Sequence, residues 1–411
     1  MSRSAIVVGA GIAGLTAANA LTRCGWDVRV LERSPEPRTT GAGIVLLANA
    51  LRGLDAAGVG DAVRAVGQQA YPGTLRDGAG RALVHVSAEQ IAARLGTVAI
   101  AFHRPRLQEA LLDGLGDGQV TYGAAAAAVD PGDAAHPAVV TLDDGTTLSA
   151  DLVVAADGVR SRLRAAVAPD VAEPVYVGST TWLAVLDNPG ITEMSQTWGP
   201  GGEVGLIPLG DGRLYWYATQ VGPAGRPTGD AAADLAAARV AFAGWHQPIP
   251  QVLAATTPEQ AQQLDLYGFR KPVPRMARGR VALVGDAAHA MPPNVGQGGC
   301  QGIEDAVVLA ASVSGGTGGS GGSGGSAGSD GSGRNSVVDG LAAYDRVRRP
   351  RTSGVLRAAW ASARIGEQLA SPALVGLRNA ALRALPARVM LDGMSRFASW
   401  TPPALPTLPV G

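Results

Sequence analysis

Residues 4–15 read Ser-Ala-Ile-Val-Val-Gly-Ala-Gly-Ile-Ala-Gly-Leu, an apolar run that breaks into the pattern G-x-G-x-x-G. The run predicts a buried parallel strand over Ser4–Val8, and the residues after the glycines predict a helix over Leu15–Cys24. Unpaired N–H groups and the positive dipole end of such a helix face any phosphate bound at the turn. The stretch therefore predicts a strand, turn and helix that bind phosphate.

The three glycines of this pattern have different physical tasks. Gly9 permits a tight turn, Gly11 lets a pyrophosphate approach bare backbone, and Gly14 lets the helix pack closely on the strand. A second apolar run over Asp27–Leu31 ends at Glu32, where a carboxylate can accept hydrogen bonds from both hydroxyls of a ribose. We therefore expect a dinucleotide-binding βαβ unit at the start of the chain.

Composition excludes several classes of protein. The 411 residues contain 34 Lys and Arg against 34 Asp and Glu, so no net charge favours nucleic acid or an anionic membrane. No apolar stretch reaches the roughly eighteen residues that span a bilayer, and the first strand follows Met1 too closely for a signal peptide. With Cys24 and Cys300 as the only cysteines, neither a disulfide framework nor a metal site is expected. We expect a globular, cytoplasmic protein.

The rest of the chain alternates between segments of two different compositions. Strand-like pieces rich in tryptophan and tyrosine between residues 170 and 272 indicate a second sheet with an aromatic face. We therefore predict an α/β (α+β) fold with a Rossmann-like dinucleotide-binding domain, an inserted mixed β-sheet domain for the substrate, and C-terminal helices. The predicted segments are 1–70, 101–169 and 273–313 for the dinucleotide-binding domain, 71–100 and 170–272 for the substrate domain, 314–336 for a flexible Gly/Ser insertion, and 337–411 for the C-terminal helices and tail.

Two further apolar strands end in turns that resemble ligand-binding turns. One strand stops at Asp157-Gly158, which is expected to open a helix, and the other stops at Gly285-Asp286. Open α/β sheets bind ligands at the carboxyl ends of their strands. After the second turn, the glycines of residues 293–299 expose successive N–H groups ahead of another helix, an arrangement that suits negative charge on a phosphate or a ring.

These motifs, in this order, resemble those of the single-component (group A) FAD-dependent aromatic monooxygenases, which have the para-hydroxybenzoate hydroxylase fold. They are G-x-G-x-x-G with Glu32, then Asp157-Gly158, then Gly285-Asp286 followed by Pro-x-x-Gly-Gln-Gly-Gly, and Tyr344–Arg351 is similar to the family's closing helix. The resemblance is strongest to the branch of salicylate, 6-hydroxynicotinate and urate hydroxylases and zeaxanthin epoxidases. It covers nearly the whole chain apart from the insertion and the tail.

The resemblance implies the reaction as well as the fold. NADPH or NADH would reduce FAD, oxygen would form a flavin C4a-hydroperoxide, and an electron-rich aromatic or polyketide-like molecule would be hydroxylated. Since only one nucleotide-binding fingerprint is present, NAD(P)H is expected to bind transiently, without a domain of its own. The protein is expected to be a monomer or a homodimer. Epoxidation and Baeyer–Villiger oxygenation on the same scaffold stay open, and a non-catalytic flavin-binding protein is a minor alternative. The turn at Gly285-Asp286 argues against a plain NAD-dependent dehydrogenase, and the absence of Trp-x-Trp-x-Ile-Pro argues against a halogenase.

The resemblance also implies which residues contact the cofactor. Glu32 would hold the adenosine ribose with Arg33 beside the adenine, Asp286 would bind the ribityl or pyrophosphate part, and Val295–Gly299 would bind the pyrimidine edge of the flavin. The full expected set is Gly9, Gly11, Ile12, Ala13, Gly14, Glu32, Arg33, Gly43, Arg104, Gln108, Asp157, Gly158, Gly285, Asp286, Pro293, Val295, Gly296, Gln297, Gly298 and Gly299.

No catalytic residue is certain from the sequence, but four candidates can be named. Tyr215 and Tyr217 lie on one side of a predicted strand and could face the substrate. For His289 a structural hydrogen bond is a better explanation than a role as base, and Pro293 is the fourth candidate.

Two positions depart from the pattern of the family and bear on the substrate. Leu183 stands where many relatives have the arginine of Thr-x-Trp-Arg, so an apolar side chain replaces a cation that would bind a carboxylate. Asn294 stands where urate hydroxylases have an aspartate. Both departures argue against urate and against a simple aromatic carboxylate, and they favour a neutral, more hydrophobic substrate.

Overall fold

The computed structural model describes residues 3–37, 41–70, 73–315 and 337–406. Its strands are β1 (Ser4–Val8), β2 (Asp27–Glu32), β3 (Gly43–Leu46), β4 (Gln68–Ala70), β5 (Leu75–Asp77), β6 (Ala82–Val84), β7 (Ala99–His103), β8 (Val120–Tyr122), β9 (Ala126–Asp130), β10 (Ala138–Leu142), β11 (Thr147–Ala150), β12 (Leu152–Ala155), β13 (Val175–Asp187), β14 (Ser195–Gly199), β15 (Gly202–Pro208), β16 (Arg213–Val221), β17 (Ala261–Gly268), β18 (Ala277–Arg278) and β19 (Val281–Leu283).

Its helices are α1 (Ile12–Arg23), α2 (Ala48–Ala57), α3 (Gly60–Ala65), α4 (Ala88–Leu95), α5 (Arg104–Leu112), α6 (Arg164–Val167), α7 (Ala231–Ala241), α8 (Ile249–Ala255), α9 (Asp286–His289), α10 (Gly298–Val313), α11 (Val337–Ile365), α12 (Pro372–Ala384) and α13 (Ala387–Ala398). Two short 3₁₀ turns span Pro258–Gln260 and Pro293–Val295. In the described part of the chain, no helix has both the length and the apolar character needed to cross a membrane.

A six-stranded sheet in the order β18-β19-β12-β1-β2-β8 holds the first fingerprint. All neighbouring pairs are parallel except β18 with β19 at the edge. Helices α1 and α10 pack against each other, and α1 packs on β1, β2 and β12, so these strands are apolar and buried. Because the strands are parallel, the ends of β1, β2, β12 and β19 lie at one edge, which is the predicted ligand edge.

The predicted first strand is confirmed, but the helix that follows it begins earlier than expected. Helix α1 begins at Ile12 rather than at Leu15, because Gly11 is an extended N-terminal cap with φ −78° and ψ 177°. The last glycine of the fingerprint therefore belongs to the first turn of the helix.

A seven-stranded sheet in the order β17-β13-β16-β15-β14-β5-β6 forms the second layer of the molecule. Strands β5 and β6 come from the segment before residue 100, and the remaining strands come from residues 175–268. One face carries Trp182 and Trp216 and packs under α7 and α8. The other face carries Leu183, Tyr215 and Tyr217 and packs against a three-stranded sheet in the order β3-β7-β4. The α/β fold class is confirmed, whereas the predicted domain boundaries stay a prediction.

Three details differ from expectation or cannot be compared with it. Asp157-Gly158 does not open a helix, because the chain stays irregular until the four-residue helix α6. Helix α11 extends beyond both ends of Tyr344–Arg351, the stretch similar to the family's closing helix, and its apolar face stays buried on both sides of Pro350. Of the predicted insertion over 314–336, only Ser314 and Gly315 lie among the described residues.

Candidate functional site

The first glycine turn is tightly packed at two of its three positions. A Cβ on Gly9, whose φ is +108°, would lie 2.5 Å from the carbonyl oxygen of Ala156, and one on Gly14 would collide with the carbonyl oxygen of Gly9. A Cβ on Gly11 would have no neighbour within 4 Å. Packing therefore requires glycine at the first and third positions, and the second position faces open space in which a ligand can lie.

Glu32 and Gln108 fasten this turn to its surroundings. The Glu32 carboxylate accepts hydrogen bonds from the backbone N–H groups of Ala10 and Ser34, at 2.9 Å each. The Gln108 side chain donates to the carbonyl oxygen of Ala10 at 2.7 Å. The predicted ribose acceptor thus lies beside the glycine turn, while Arg33 is exposed next to it.

The second and third motifs meet the first motif at the same sheet edge. A Cβ on Gly9 would lie 3.4 Å from the Cα of Asp157, and a Cβ on Gly285 would lie 2.9 Å from the Cβ of Ala13. A Cβ on Gly302 would also lie 2.9 Å from Ala13. Small residues therefore allow α1, α10 and the end of β19 to converge.

Asp157 is only half satisfied at this edge. One carboxylate oxygen accepts the backbone N–H groups of Arg162 and Leu163, at 2.8 and 3.2 Å. The other oxygen is buried and has no hydrogen-bond partner. The neighbouring Gly158, with φ +83°, faces open space, and Asp286 is exposed at the start of α9.

The loop before α10 offers backbone rather than side chains to a ligand. A Cβ on Gly296 or on Gly298 would have no atom within 4 Å, whereas a Cβ on Gly299 would lie 3.0 Å from Ile44. The Gln297 side chain is buried, and its oxygen accepts hydrogen bonds from Asn49 at 3.0 Å and from Gln301 at 2.8 Å. Val295 is partly exposed and Pro293 is exposed.

A buried ionic network joins α10 to α11. Arg348 donates to Asp305 at 2.8 Å and to Glu304 at 2.5 Å, and Arg351 adds two further bonds to Glu304, at 2.5 and 2.7 Å. Burial alone would raise the pKa of Asp305, but His289 and Arg348 outweigh it and hold that pKa below its usual value. Sequence reasoning missed this network, since its members lie on two helices far apart in the chain.

His289 belongs to this network. Its Nε2 lies 2.6 Å from an Asp305 carboxylate oxygen, and its side chain is 3% exposed. The other ring nitrogen has no partner. This placement fits the structural role favoured for His289.

Tyr215 and Tyr217 lie on the same face of the seven-stranded sheet, with ring centroids 6.1 Å apart. A side chain on Gly43 would collide with the Tyr215 ring, so β3 lies directly against it. Burial raises the pKa of Tyr215 from 10 to about 12, so its phenol stays protonated well into the alkaline range. Arg104, at the exposed start of α5, is close enough to oppose part of that rise.

Two buried carboxyls on this side of the molecule were also missed. Glu203 lies on β15 and Glu367 lies just after α11, with 2% and 0% exposure. Burial, reinforced by the charge of Glu367, raises the pKa of Glu203 to about 8. Each glutamate is an isolated charge in the sequence, and no local pattern signals that the two meet.

Comparison with known proteins agrees with this geometry. The family model described as FAD binding domain matches residues 3–325. Aurachin C monooxygenase/isomerase of Stigmatella aurantiaca is 38% identical over 315 residues, which are 75% of this chain and 80% of that protein. The 2-heptyl-3-hydroxy-4(1H)-quinolone synthase of Pseudomonas aeruginosa is 31% identical over 388 residues, 93% of this chain and 94% of that protein. The crystal structure of Klebsiella pneumoniae HpxO with FAD and uric acid superposes with a TM-score of 0.85 at 29% identity and covers 96% of each chain.

Proposed function

The chain belongs to the FAD binding domain family and is an FAD-dependent monooxygenase of aromatic substrates; from this premise we propose that its substrate is an uncharged, nitrogen-containing fused aromatic ring with an apolar substituent. NAD(P)H, the electron donor typical of the family, would reduce the FAD. When bound, FAD supplies the redox and oxygen chemistry. The tasks left to the protein are to bind the cofactor, to orient the substrate and to exclude water.

We propose that FAD lies along the carboxyl edge of the six-stranded sheet. The open positions at Gly11, Gly158 and Gly298 leave room for it, and the unpaired oxygen of Asp157 needs a donor that a cofactor hydroxyl can supply. The N-terminus of α1 suits the pyrophosphate, and the N-terminus of α10 suits negative charge on the flavin ring. The remaining expected contacts, including Asp286 and Arg104, belong to the same proposal.

The proposed class of substrate rests mainly on the apolar surroundings of Leu183. Its side chain joins an apolar cluster with Val185, Tyr215, Tyr217 and Ile207 on the face of the sheet that packs against β3 and β7. A substrate carboxylate placed against Leu183 would lose water and gain no cation from that position, where relatives have an arginine, and burial of an unpaired charge costs several kcal/mol. A neutral, flat, apolar ring has no such desolvation cost, and burial of its apolar surface favours binding.

The relatives support the same class of substrate. One of them is named for a quinolone that carries a seven-carbon chain, and that protein and this chain are similar over nearly their whole lengths. Another is named for aurachin C. The urate hydroxylases are also relatives, but Asn294 and Leu183 separate this chain from the pattern expected for urate.

The direct test is substrate-stimulated oxidation of NADPH or NADH by the purified holoenzyme, measured together with oxygen uptake. We expect 2-heptyl-4(1H)-quinolone to stimulate both rates at least tenfold more than salicylate or urate does, with a product heavier by one oxygen atom. Equal or stronger stimulation by salicylate or urate would overturn the proposed substrate class.

A Leu183→Arg variant tests whether the apolar side chain at position 183 decides the class of substrate. The new cation should weaken the response to the quinolone at least tenfold and improve the response to salicylate, because it restores a partner for a carboxylate. Leu377→Arg is the matched control, since Leu377 is 69% exposed on α12 and its replacement should change neither response.

A further inference from the structure

Glu203 and Glu367 come from different parts of the fold and meet on the face that carries Tyr217. Residues Glu203 and Gly205 point to the same side of β15, and Gly205 lies opposite Tyr217 on β16. A side chain on Gly205 would collide with the Tyr217 ring, which shows that the ring covers this position. Glu203 therefore lies on the same face of the sheet as the apolar cluster around Leu183, two residues along β15 from the position that Tyr217 covers.

The hydrogen bonds that the two carboxyls accept come from neutral side chains. Ser179 donates to one oxygen of Glu367 at 2.7 Å, and Gln196 donates to one oxygen of Glu203 at 3.3 Å and to the Tyr217 hydroxyl at 3.1 Å. Among the residues that the structure describes, no lysine or arginine forms a salt bridge with either carboxyl. Two neighbouring buried carboxyls cannot both ionise at low cost, so at neutral pH the pair favours keeping a proton.

Several polar atoms around the pair lack partners. The second oxygen of Glu367 is buried and has no hydrogen-bond partner. The indole N–H of Trp198 and the polar atoms of the Asn294 side chain are also buried and make no hydrogen bond of good geometry, but the indole is close enough to Glu203 to oppose part of the rise in its pKa. The Asn294 amide is nevertheless close enough to act on the pKa of both glutamates. An unsatisfied buried group costs about 1–3 kcal/mol, so the unpaired oxygen of Glu367, beside polar atoms with poor hydrogen-bond geometry, favours a ligand donor at this site.

Asn294 fixes the position of the cluster relative to the proposed flavin. It belongs to the 3₁₀ turn that leads directly into Gly296 and Gly298, the open positions before α10. The carboxyl cluster, defined as Glu203, Glu367 and Asn294, thus lies between this loop and the tyrosine face of the sheet. A substrate held between the two would reach it.

Resting on the proposed function, we propose that the carboxyl cluster accepts a hydrogen bond from a ring N–H or ring O–H of the uncharged substrate and rejects rings that lack the donor or carry a carboxylate. A ligand donor would satisfy the unpaired oxygen of Glu367 and the Glu203 carboxyl, whose bond from Gln196 is long at 3.3 Å, whereas an analogue without the donor would not. A carboxylate would place a second negative charge next to a buried pair that already resists ionisation. The cluster is therefore a determinant of specificity, separate from the chemistry of the cofactor.

The test compares pairs of ligands that differ in one donor. The first pair is 2-heptyl-4(1H)-quinolone and its N-methyl derivative, and the second is 1-naphthol and 1-methoxynaphthalene. Dissociation constants are measured on the holoenzyme from the change in flavin absorbance. We expect the donor to improve affinity at least tenfold in the wild type, and Glu203→Leu to reduce that preference to less than threefold.

Two further variants keep the test decisive. Glu203→Gln retains an acceptor oxygen without the charge and should preserve at least part of the preference, while its flavin content and circular dichroism report on folding. Glu193→Leu is the control, because Glu193 is an exposed glutamate just before β14 and its loss should leave the preference unchanged.

The outcomes separate this inference from the proposed function. Donor preference with the naphthols alone would support the carboxyl cluster while removing the quinolone from the proposed substrates. A wild type without preference in either pair, or a preference that Glu203→Leu leaves intact, would overturn the cluster's role. Failure of all four compounds to bind would overturn both.

Discussion

At the scale of single residues, glycine has two opposite roles in this protein. At Gly9 and Gly14 the protein's own backbone occupies the space in which a side chain would lie, so any Cβ would collide with it and distort the turn. At Gly11, Gly158 and Gly298 the missing side chain leaves space that the protein does not use. The first kind of glycine is needed for folding. At Gly11 and Gly298 the open space matters only when a ligand is present, whereas Gly158 is also favoured by its left-handed backbone, with φ +83°.

This difference predicts the behaviour of a Gly11→Val variant. The protein should fold with nearly unchanged stability, because no atom lies within 4 Å of the new Cβ, but FAD affinity should fall at least tenfold as the side chain occupies the ligand's space. Gly244→Val is the matched control, since a Cβ there also has no neighbour within 4 Å. Flavin content after purification and titration of the apoprotein with FAD provide the measurement; equal occupancy in the two variants would contradict the placement of the cofactor.

Glu203 predicts a pH dependence of stability. An ordinary glutamate titrates at 4.5, whereas the folded protein holds the proton of Glu203 until the pKa of about 8. Between these values the folded state binds more protons than the unfolded state, so stability falls as pH rises, by at most about 1.4 kcal/mol per pH unit. Urea unfolding between pH 5.5 and 7.5 should therefore show a steeper decline for the wild type than for Glu203→Gln. Parallel curves for the two proteins would contradict the buried proton.

At the scale of elements, α10 and α11 form a pair whose contact is ionic as well as apolar. Arg348 has no exposed surface and donates four hydrogen bonds to Gln301, Glu304 and Asp305 of α10. Asp305 in turn accepts the backbone N–H of Gly285 at 2.9 Å. The network thus ties the second glycine-aspartate turn to the helix whose N-terminus faces the proposed flavin.

Removal of the central cation should be costly. We expect Arg348→Ala to lower the free energy of unfolding by about 3–5 kcal/mol, because two buried carboxylates lose the fully buried cation that they share. Arg357→Ala on the same helix should change it by less than about 0.5 kcal/mol, since Arg357 is exposed. Denaturant unfolding of both variants measures the difference, and a loss below about 1 kcal/mol for Arg348→Ala would show that Arg351 alone can satisfy Glu304.

At the scale of the whole molecule, the proposed cofactor joins segments that are distant in the chain. The first turn, the turn at Asp157, and the loop before α10 converge at one sheet edge, and the seven-stranded sheet meets that loop through Asn294. A ligand that contacts all of these segments binds the folded state and not the unfolded chain. Cofactor binding and folding stability are therefore linked.

The linkage predicts stabilisation of the apoprotein by FAD. At a free FAD concentration of about 100 times the dissociation constant, the free energy of unfolding should rise by about 2.7 kcal/mol, which thermal unfolding detects as a higher midpoint. FMN lacks the adenosine part that Glu32 and the first turn are expected to bind, so at the same concentration it should raise the midpoint less. An equal shift with FMN would show that the first turn contributes no binding energy.

Local sequence decided much of this protein. The fingerprint of Gly9, Gly11 and Gly14 is contiguous in the chain, and its glycines and apolar strand specify strand, turn and helix through short-range sterics alone. The same reasoning located the strand ends at Asp157 and Gly285. The resemblance to the monooxygenase family, and not local sterics, identified Leu183 as the position where a cation is missing.

Only the tertiary structure decided which charges are buried together. Glu203 and Glu367 are each ordinary glutamates in their own segments, and Arg348 is one of several arginines on a helix that also carries exposed ones. Whether such a group meets a partner, a cation or another carboxyl depends on how elements that are distant in the chain pack together. Burial and long-range pairing are properties of the assembled layers, so the donor-binding carboxyl pair and the ionic support of α10 become visible only in the folded chain.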